Sequence, residues 1–199
     1  MELTEAVRRR HMTRSFSGRP LATETVDELL EAALRAPSAG HTQGREFVVL
    51  SGADQTRRYW EATTDEAWRH SSRRFALLSR APVIVLPFAE PEAYVARYRE
   101  PDKMRTGGTD VEWVVPFWWV DAAFATMTML LGAADRGLGV AFLGNFRGED
   151  ALGSALGVPS RFRWLGALLL GEPSAPDPKS SSAGRRRRTL AESVHRGGW

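Results

Sequence analysis

Apolar residues near the start of the chain recur at helical spacing. Leu3, Ala6 and Val7 lead into a run of arginines, with Thr4 placed to cap, which predicts a first helix ending in a basic cluster. In "PLATETVDELLEAALRAPSAG", Val26, Leu29, Leu30, Ala33 and Leu34 share one helical face behind a candidate cap at Thr23. Pro37 then forces Ala36 out of helical geometry and ends the element. "EFVVL" lies between Gly44 and Gly52 and reads as a strand. Helical patterns return in "QTRRYWEAT" and "DEAWRHSSRRFALLSRA", followed by "APVIVLPF" as a second strand. Residues 90–112 are mixed and polar, with "PDKMRTGGTD" the most loop-like part, an insertion of the kind that covers a site.

From about Trp118 to Asp135 the chain is apolar around most of a helix's circumference, so the element is expected to be covered on nearly all sides and to stop at Gly137. Asp121 and the threonines make it short and polar for a membrane span, which predicts a buried helix and no membrane partner. "LGVAFLGNF" and "RWLGALLLGE" are the third and fourth strands, separated by a short helix through "GEDALGSALG". The Pro- and Ser-rich "PSAPDPKSSSAG" reads as a flexible linker before a basic arm, "RRRRTLAESVH". Strands interleaved with helices predict an α+β sandwich in a single domain over 1–199. The linker is expected over 172–185, and the arm over 186–199 to return to the body or reach another subunit.

Composition narrows the chemistry. The 199 residues are 43% hydrophobic, enough for one substantial core. There is no cysteine, and the four histidines are scattered, so no metal site is expected. The N-terminus is interrupted by charge from Glu2 onward, which makes a cytoplasmic protein the expectation. The net charge of +3 hides an uneven distribution. From Lys179 onward six Lys or Arg face one acid, leaving the other 178 residues slightly acidic. The second basic cluster, "RRRHMTRSF" at 8–16, lies at the far end of the chain. Two short clusters on a near-neutral body suit two grips on one small anion at least as well as a polynucleotide. No aromatic residues interleave with the tail arginines, and no nucleic-acid partner is expected.

Four segments together resemble the nitroreductase family of flavoproteins, over nearly the whole chain. "RHMTRSF" is similar to that family's opening Arg-Arg-Ser-x-Arg-x-Phe signature. "APSAGHTQGREFVVL" resembles its Ala-Pro-Ser-x-x-Asn-x-Gln-Pro-Trp loop entering a strand. "MLLGAADRGLGVAFLGNF" resembles its dimer-interface helix with a Gly-Leu-Gly ending, and "LGALLLGEP" with "RRRRTLAESVH" resembles its last core strand and basic C-terminal segment. The resemblance implies a nitroreductase-like sandwich, a mainly antiparallel central sheet flanked by helices. It also implies a homodimer that exchanges C-terminal arms and holds FMN between its two chains. NADH or NADPH would be the reductant and a nitroaromatic, quinone or similar small molecule the acceptor, in a ping-pong cycle.

By motif position, the resemblance puts Arg10 and His11 on the FMN phosphate and ribityl chain and Arg14 on the pyrimidine edge, where a cation favours the reduced flavin. A guanidinium can hold a phosphate through two charge-assisted bonds at once. Arg8 and Arg9 are expected to be surface charge. Met12 stands where the family has a serine; a thioether cannot donate, leaving only a backbone contact. Pro37, Ser38 and Ala39 match positions lining one face of the ring, from the partner chain. His41 replaces an asparagine and Gln43 matches a glutamine. Gly44 and Arg45 replace Pro-Trp, a change expected to widen or recharge the pocket. Leu143, Gly144 and Asn145 match the backbone that reaches flavin N5 and O4, so chemistry rests on the flavin and no side chain is assigned a catalytic role. The tail arginines Arg185 to Arg188 resemble the family's second phosphate grip, and alternate spacing favours Arg185 and Arg187 for that role. Trp113, Phe117, Trp118 and Trp119 are read as core or dimer contacts, with one or two able to stack on substrate. The same scaffold also admits a flavin-dependent dehydrogenase, a reductive dehalogenase or a non-catalytic flavin-binding protein.

Overall fold

A computed structural model of the chain describes residues 2–104, 111–144 and 146–199. Its frame is one antiparallel sheet in the order β1 (Arg45–Ser51), β2 (Val83–Ala89), β5 (Gly166–Gly171), β3 (Gly139–Gly144), with the two-residue β4 (Arg163–Trp164) pairing on β2. β2 carries apolar residues at every position but one and is buried throughout, as expected of a strand covered on both faces. Side chains alternate across the sheet. Ile84, Leu86, Phe88, Ala141 and Leu169 enter one core, and Val83, Val85, Val140, Leu168 and Leu170 enter the other.

Among the described residues, eight α-helices cover these faces: α1 (Leu3–Arg9), α2 (Thr23–Leu34), α3 (Ala53–Thr63), α4 (Glu66–Ser71), α5 (Arg73–Leu78), α6 (Pro91–Arg97), α7 (Phe117–Asp135) and α8 (Glu149–Leu156). Tyr59 and Trp60 of α3, Leu78 of α5 and Leu152 of α8 fill the first core. Val26 and Leu29 of α2 with Ala125, Met129 and Ala133 of α7 fill the second. α7 ends as anticipated. With Gly137 at φ +70°, its N–H bonds Ala134 O and the Leu138 N–H reaches Ala133 O, closing the last turn.

Several boundaries differ from the sequence reading. Thr4 and Thr23 lie inside α1 and α2 rather than capping them; Glu2 and Ala22 stand at the caps with no side-chain bond. The second helical pattern is cut at Ser72, whose hydroxyl accepts the Phe75 N–H and starts α5 afresh. "RWLGALLLGE" is not one strand. Pro87 of β2 has no N–H to offer, and there β2 changes neighbour from β5 to β4 while Leu165 steps aside to donate to Pro87 O. α7 is also less enclosed than its composition suggests. Phe117, Phe124 and Met127 are 40–48% exposed, leaving one apolar face open on the single chain. Finally, the linker expected over 172–185 begins as an ordered strap. Phe16 bridges Pro173, Ser17 and Ser174 exchange backbone bonds with Glu172 and Ser15, and the Arg14 N–H donates to Asp177. Beyond it the arm is exposed from Ser181 to Trp199.

The buried tyrosine of α3 gives the fold an alkaline limit. Tyr59 is 4% exposed, and burial pushes its hydroxyl from 10.0 up to about 12. The native state thus holds this proton more tightly than the unfolded chain. The associated stability is complete below pH 10 and falls as pH rises toward 12, by roughly 1.4 kcal/mol for each pH unit crossed. Urea midpoints measured from pH 9 to 11.5 should fall steadily, and Tyr59→Phe should flatten part of that slope. An equal slope in the variant would assign the loss to other groups.

Candidate functional site

The Arg10–Phe16 segment lies along the free edge of β3. The Thr13 N–H donates to Val140 O, and Thr13 is buried so tightly against Gly139 that a Cβ there would stand 2.8 Å from its methyl. Met12 turns inward and packs on the second core, where its sulfur accepts the Phe142 N–H at 3.4 Å. An edge-strand donor is satisfied by a thioether, so the side chain of the half-buried methionine serves the sheet. Its carbonyl accepts from Arg14 Nη1 at 2.8 Å.

That leaves a set of cationic donors with little to neutralise them. Among the described residues the Arg10 guanidinium has no ion pair, and Arg14 bonds only the Met12 carbonyl through its side chain. His11 Nδ1 lies 3.1 Å from Arg9 O, with Nε2 3.7 Å from Asp177 Oδ2. Arg9, expected to be surface charge, pairs with Glu5 on α1 but also borders the cleft formed by Arg10 and His11. Arg10, His11 and Thr13 line a cleft of about 210 Å³ with the Gly137–Val140 backbone and Pro173. Unpaired guanidinium groups beside fixed backbone are the chemistry a phosphate and a polar ring edge call for, so the donor set fits a flavin mononucleotide. Asp177 was not anticipated. It belongs to the strap, and only the tertiary pairing of Pro173 with Phe16 brings it here.

Leu143 and Gly144 close β3 at the same edge, one and two strand positions past the Met12 contact at Phe142. Asn145 lies outside the described residues. Phe146, just beyond, is 95% exposed.

Pro37, Ser38, Ala39, His41 and Gln43 are placed elsewhere. They form the turn entering β1, the opposite edge of the sheet, so three strand spacings, about 14 Å, separate them from β3. One chain therefore does not gather all the residues named from the sequence. Arg185 and Arg187 stand apart as well, on the exposed arm. Arg186 is paired with both carboxylate oxygens of Glu192, whereas among the described residues the Arg185 and Arg187 side chains make no ion pair.

The turn itself is unusual. His41 and Gln43 both adopt φ +56°, the left-handed region that non-glycine residues seldom enter. Ser38 Oγ accepts the Gln43 N–H at 3.0 Å, and Gln43 Nε2 lies 3.2 Å from His41 Nε2. Arg45, expected to recharge the pocket, does not reach it. Its guanidinium is buried and donates to Leu34 O at 2.6 Å and Ala36 O at 2.7 Å, capping the C-terminal end of α2. Of the departures from the family loop, His41 alone presents an exposed polar side chain.

Two buried groups behind the turn escaped the sequence reading. Asp121 Oδ2 accepts the Ala39 N–H at 2.8 Å and the Tyr94 hydroxyl at 2.7 Å. Burial and the Asp121 carboxylate together push the Tyr94 hydroxyl well above its ordinary range, so it stays a donor. A lone acid inside an apolar helix was the available signal. The aromatic residues before α7 gather here too. Trp113 stacks edge-on against Tyr94, Tyr98, Phe117 and Trp118, roofing the turn with parts of the 90–112 insertion, of which residues 105–110 lie outside the described structure.

A sequence profile of the nitroreductase family matches residues 7–172. A provisionally named NADH dehydrogenase/NAD(P)H nitroreductase of Archaeoglobus fulgidus is 26% identical over 175 residues, 86% of each chain. Among solved structures, a provisionally named nitroreductase in complex with FMN from Desulfovibrio desulfuricans superposes with a TM-score of 0.70 at 26% identity. That match covers 98% of this chain and 95% of the other. A nitroreductase family protein of Streptococcus pneumoniae gives 0.72 at 19% identity, over 98% and 99% of the two chains.

Proposed function

Because the chain belongs to the nitroreductase family, we propose that it is an FMN-dependent NAD(P)H oxidoreductase whose acceptor is a nitroaromatic, quinone or similar small molecule. The observation that carries this reading is the pair of guanidinium groups, Arg10 and Arg14, that make no ion pair among the described residues and stand along the free edge of β3, the strand that ends at Gly144.

When bound, the flavin supplies hydride transfer at its N5. The chain's part is to hold and orient it. Arg10 and His11 would grip the phosphate and ribityl chain, and Arg14 would place positive charge at the pyrimidine edge. The β3 terminus at Leu143 and Gly144 offers fixed backbone polar groups that do not titrate. Donor and acceptor would use the same place in alternation.

The 14 Å between the two sheet edges supports a homodimer in which Pro37, Ser38, Ala39, His41 and Gln43 of one chain complete the partner's site. The open face of α7, with Phe117, Phe124 and Met127, is apolar surface for that contact. The exposed arm, on which Arg185 and Arg187 make no ion pair among the described residues, suits a second grip on the phosphate across the interface.

The purified protein should be yellow, and anaerobic titration with NADH and NADPH separately should bleach it with at least one of them. A protein that neither carries nor binds FMN would sink the reading. A flavin slow to reduce with both would turn the assignment toward a dehydrogenase that draws hydride from its own substrate.

A further inference from the structure

α7 is built from apolar and small residues, yet it carries Asp121 at 2% exposure, the one buried acid among the described residues. A carboxylate in such a place has given up its hydration, which is tolerated only where protein donors replace the lost water. Both donors that Asp121 takes lead to one place. The Ala39 N–H is in the middle of the turn, and the Tyr94 hydroxyl comes from α6 above it.

The turn needs holding. His41 and Gln43 sit in the left-handed region, a strained conformation that persists only when the surroundings over-determine the backbone. Those surroundings can be named. Arg97 Nε donates to Gly40 O at 2.8 Å, and the Tyr98 ring lies so close that a Cβ at Gly40 would come within 2.9 Å of it. Ser38 ties back to Gln43. Arg45 anchors the far end of the turn to the carbonyls that end α2. Tyr94 is wedged against Gly44, where a Cβ would stand 2.6 Å from its ring. Of these contacts, Asp121 is the one that ties the turn to α7, the helix whose other face is open.

We propose that Asp121 is a positioning residue. Through the Ala39 N–H and the Tyr94 hydroxyl it holds the strained 37–43 turn in the shape in which Pro37, Ser38 and Ala39 present themselves to the flavin ring. The proposal rests on the flavin reading above, and Asp121 itself touches neither flavin nor substrate.

The test compares Asp121→Ala, Asp121→Asn and Tyr94→Phe with the wild-type protein as purified. Hydrogen exchange reports the turn directly, and the flavin's visible spectrum and midpoint potential report its effect. Asp121→Ala should speed exchange of the Ala39 and Gln43 amides by about tenfold or more, leave the amides of β2 and β5 unchanged, and shift both flavin readouts. Asp121→Asn retains an oxygen with two lone pairs and should restore most of the protection and the spectrum. Tyr94→Phe should show the same local loosening at smaller amplitude, and it carries the test should alanine at 121 prevent folding. The proposal is overturned if exchange in the turn is unchanged in these variants, or if the turn loosens while the spectrum and potential stay as in wild type. A wild-type protein that binds no FMN would instead overturn the flavin reading, and exchange in the turn would still show whether the clamp exists.

Discussion

Replacing Arg10 and Arg14 together with alanine is expected to abolish stable retention of FMN. Hydrogen bonds to charged groups contribute about 1.5–3 kcal/mol, so each guanidinium should account for roughly 10–100-fold in affinity. Among the described residues neither side chain is committed to an internal ion pair, so their removal leaves no buried charge behind, and α1 and β3 should fold as before. Titration of flavin-free protein with FMN, followed by the quenching of flavin fluorescence, measures the loss. Arg8→Ala is the control: that residue is exposed and should change affinity less than about twofold. The two arginines should also separate in kind. Loss of Arg10 should weaken inorganic phosphate and FMN alike, whereas loss of Arg14 should lower the flavin's potential more than its affinity. If neither variant binds FMN more weakly than wild type, the β3 edge is not the flavin site.

The second large effect lies in the sheet. Leu169 is fully buried in the core beneath α3, α5 and α8, and Met129 of α7 is fully buried in the other core, which α7 and α2 form against the sheet. Truncating either to alanine removes a packed side chain that the surrounding rigid layers cannot collapse to replace, at a cost of about 2–5 kcal/mol. Because the two lie on opposite faces of the sheet, the double variant should lose the sum of the single losses to within about 0.5 kcal/mol. Urea unfolding followed by tryptophan fluorescence tests both statements. A double variant much less stable than that sum would mean the two cores act as one cooperative unit through β2 and β5.

How much of this was legible in advance follows from the range of the interactions involved. Element type is local. The apolar run of β2, the helical periodicity of α2 and the terminating Gly137 of α7 are each set by neighbours within a turn or a pleat, and each was readable. Cap identity failed at Thr4 and Thr23 because a favourable residue type does not oblige the chain to begin its helix there. The split of the fourth strand failed for a different reason: the break is imposed by Pro87 on another strand, which sequence order does not connect to Leu165.

The candidate site divides along the same line. Residue types able to bind an anion, Arg10, His11 and Arg14, follow from one short stretch, and the resemblance of four ordered segments named the cofactor. Placement followed from contacts between distant segments. The Met12 sulfur satisfies a β3 donor 130 residues away, Arg45 caps α2 instead of facing a pocket, and Asp177 arrives beside Arg14 through the strap. The sequence by itself determined the α+β class, the order of the longer helices and of the four main strands, and the chemistry of the basic segments, because periodicity and residue type act over a few positions; α6, inside the polar 90–112 stretch, was not legible. Only the tertiary structure decided that the 37–43 turn and the Arg10–Arg14 segment lie on opposite sheet edges, and that Asp121 grips the turn. Those facts depend on strand order and helix packing, which no local pattern encodes.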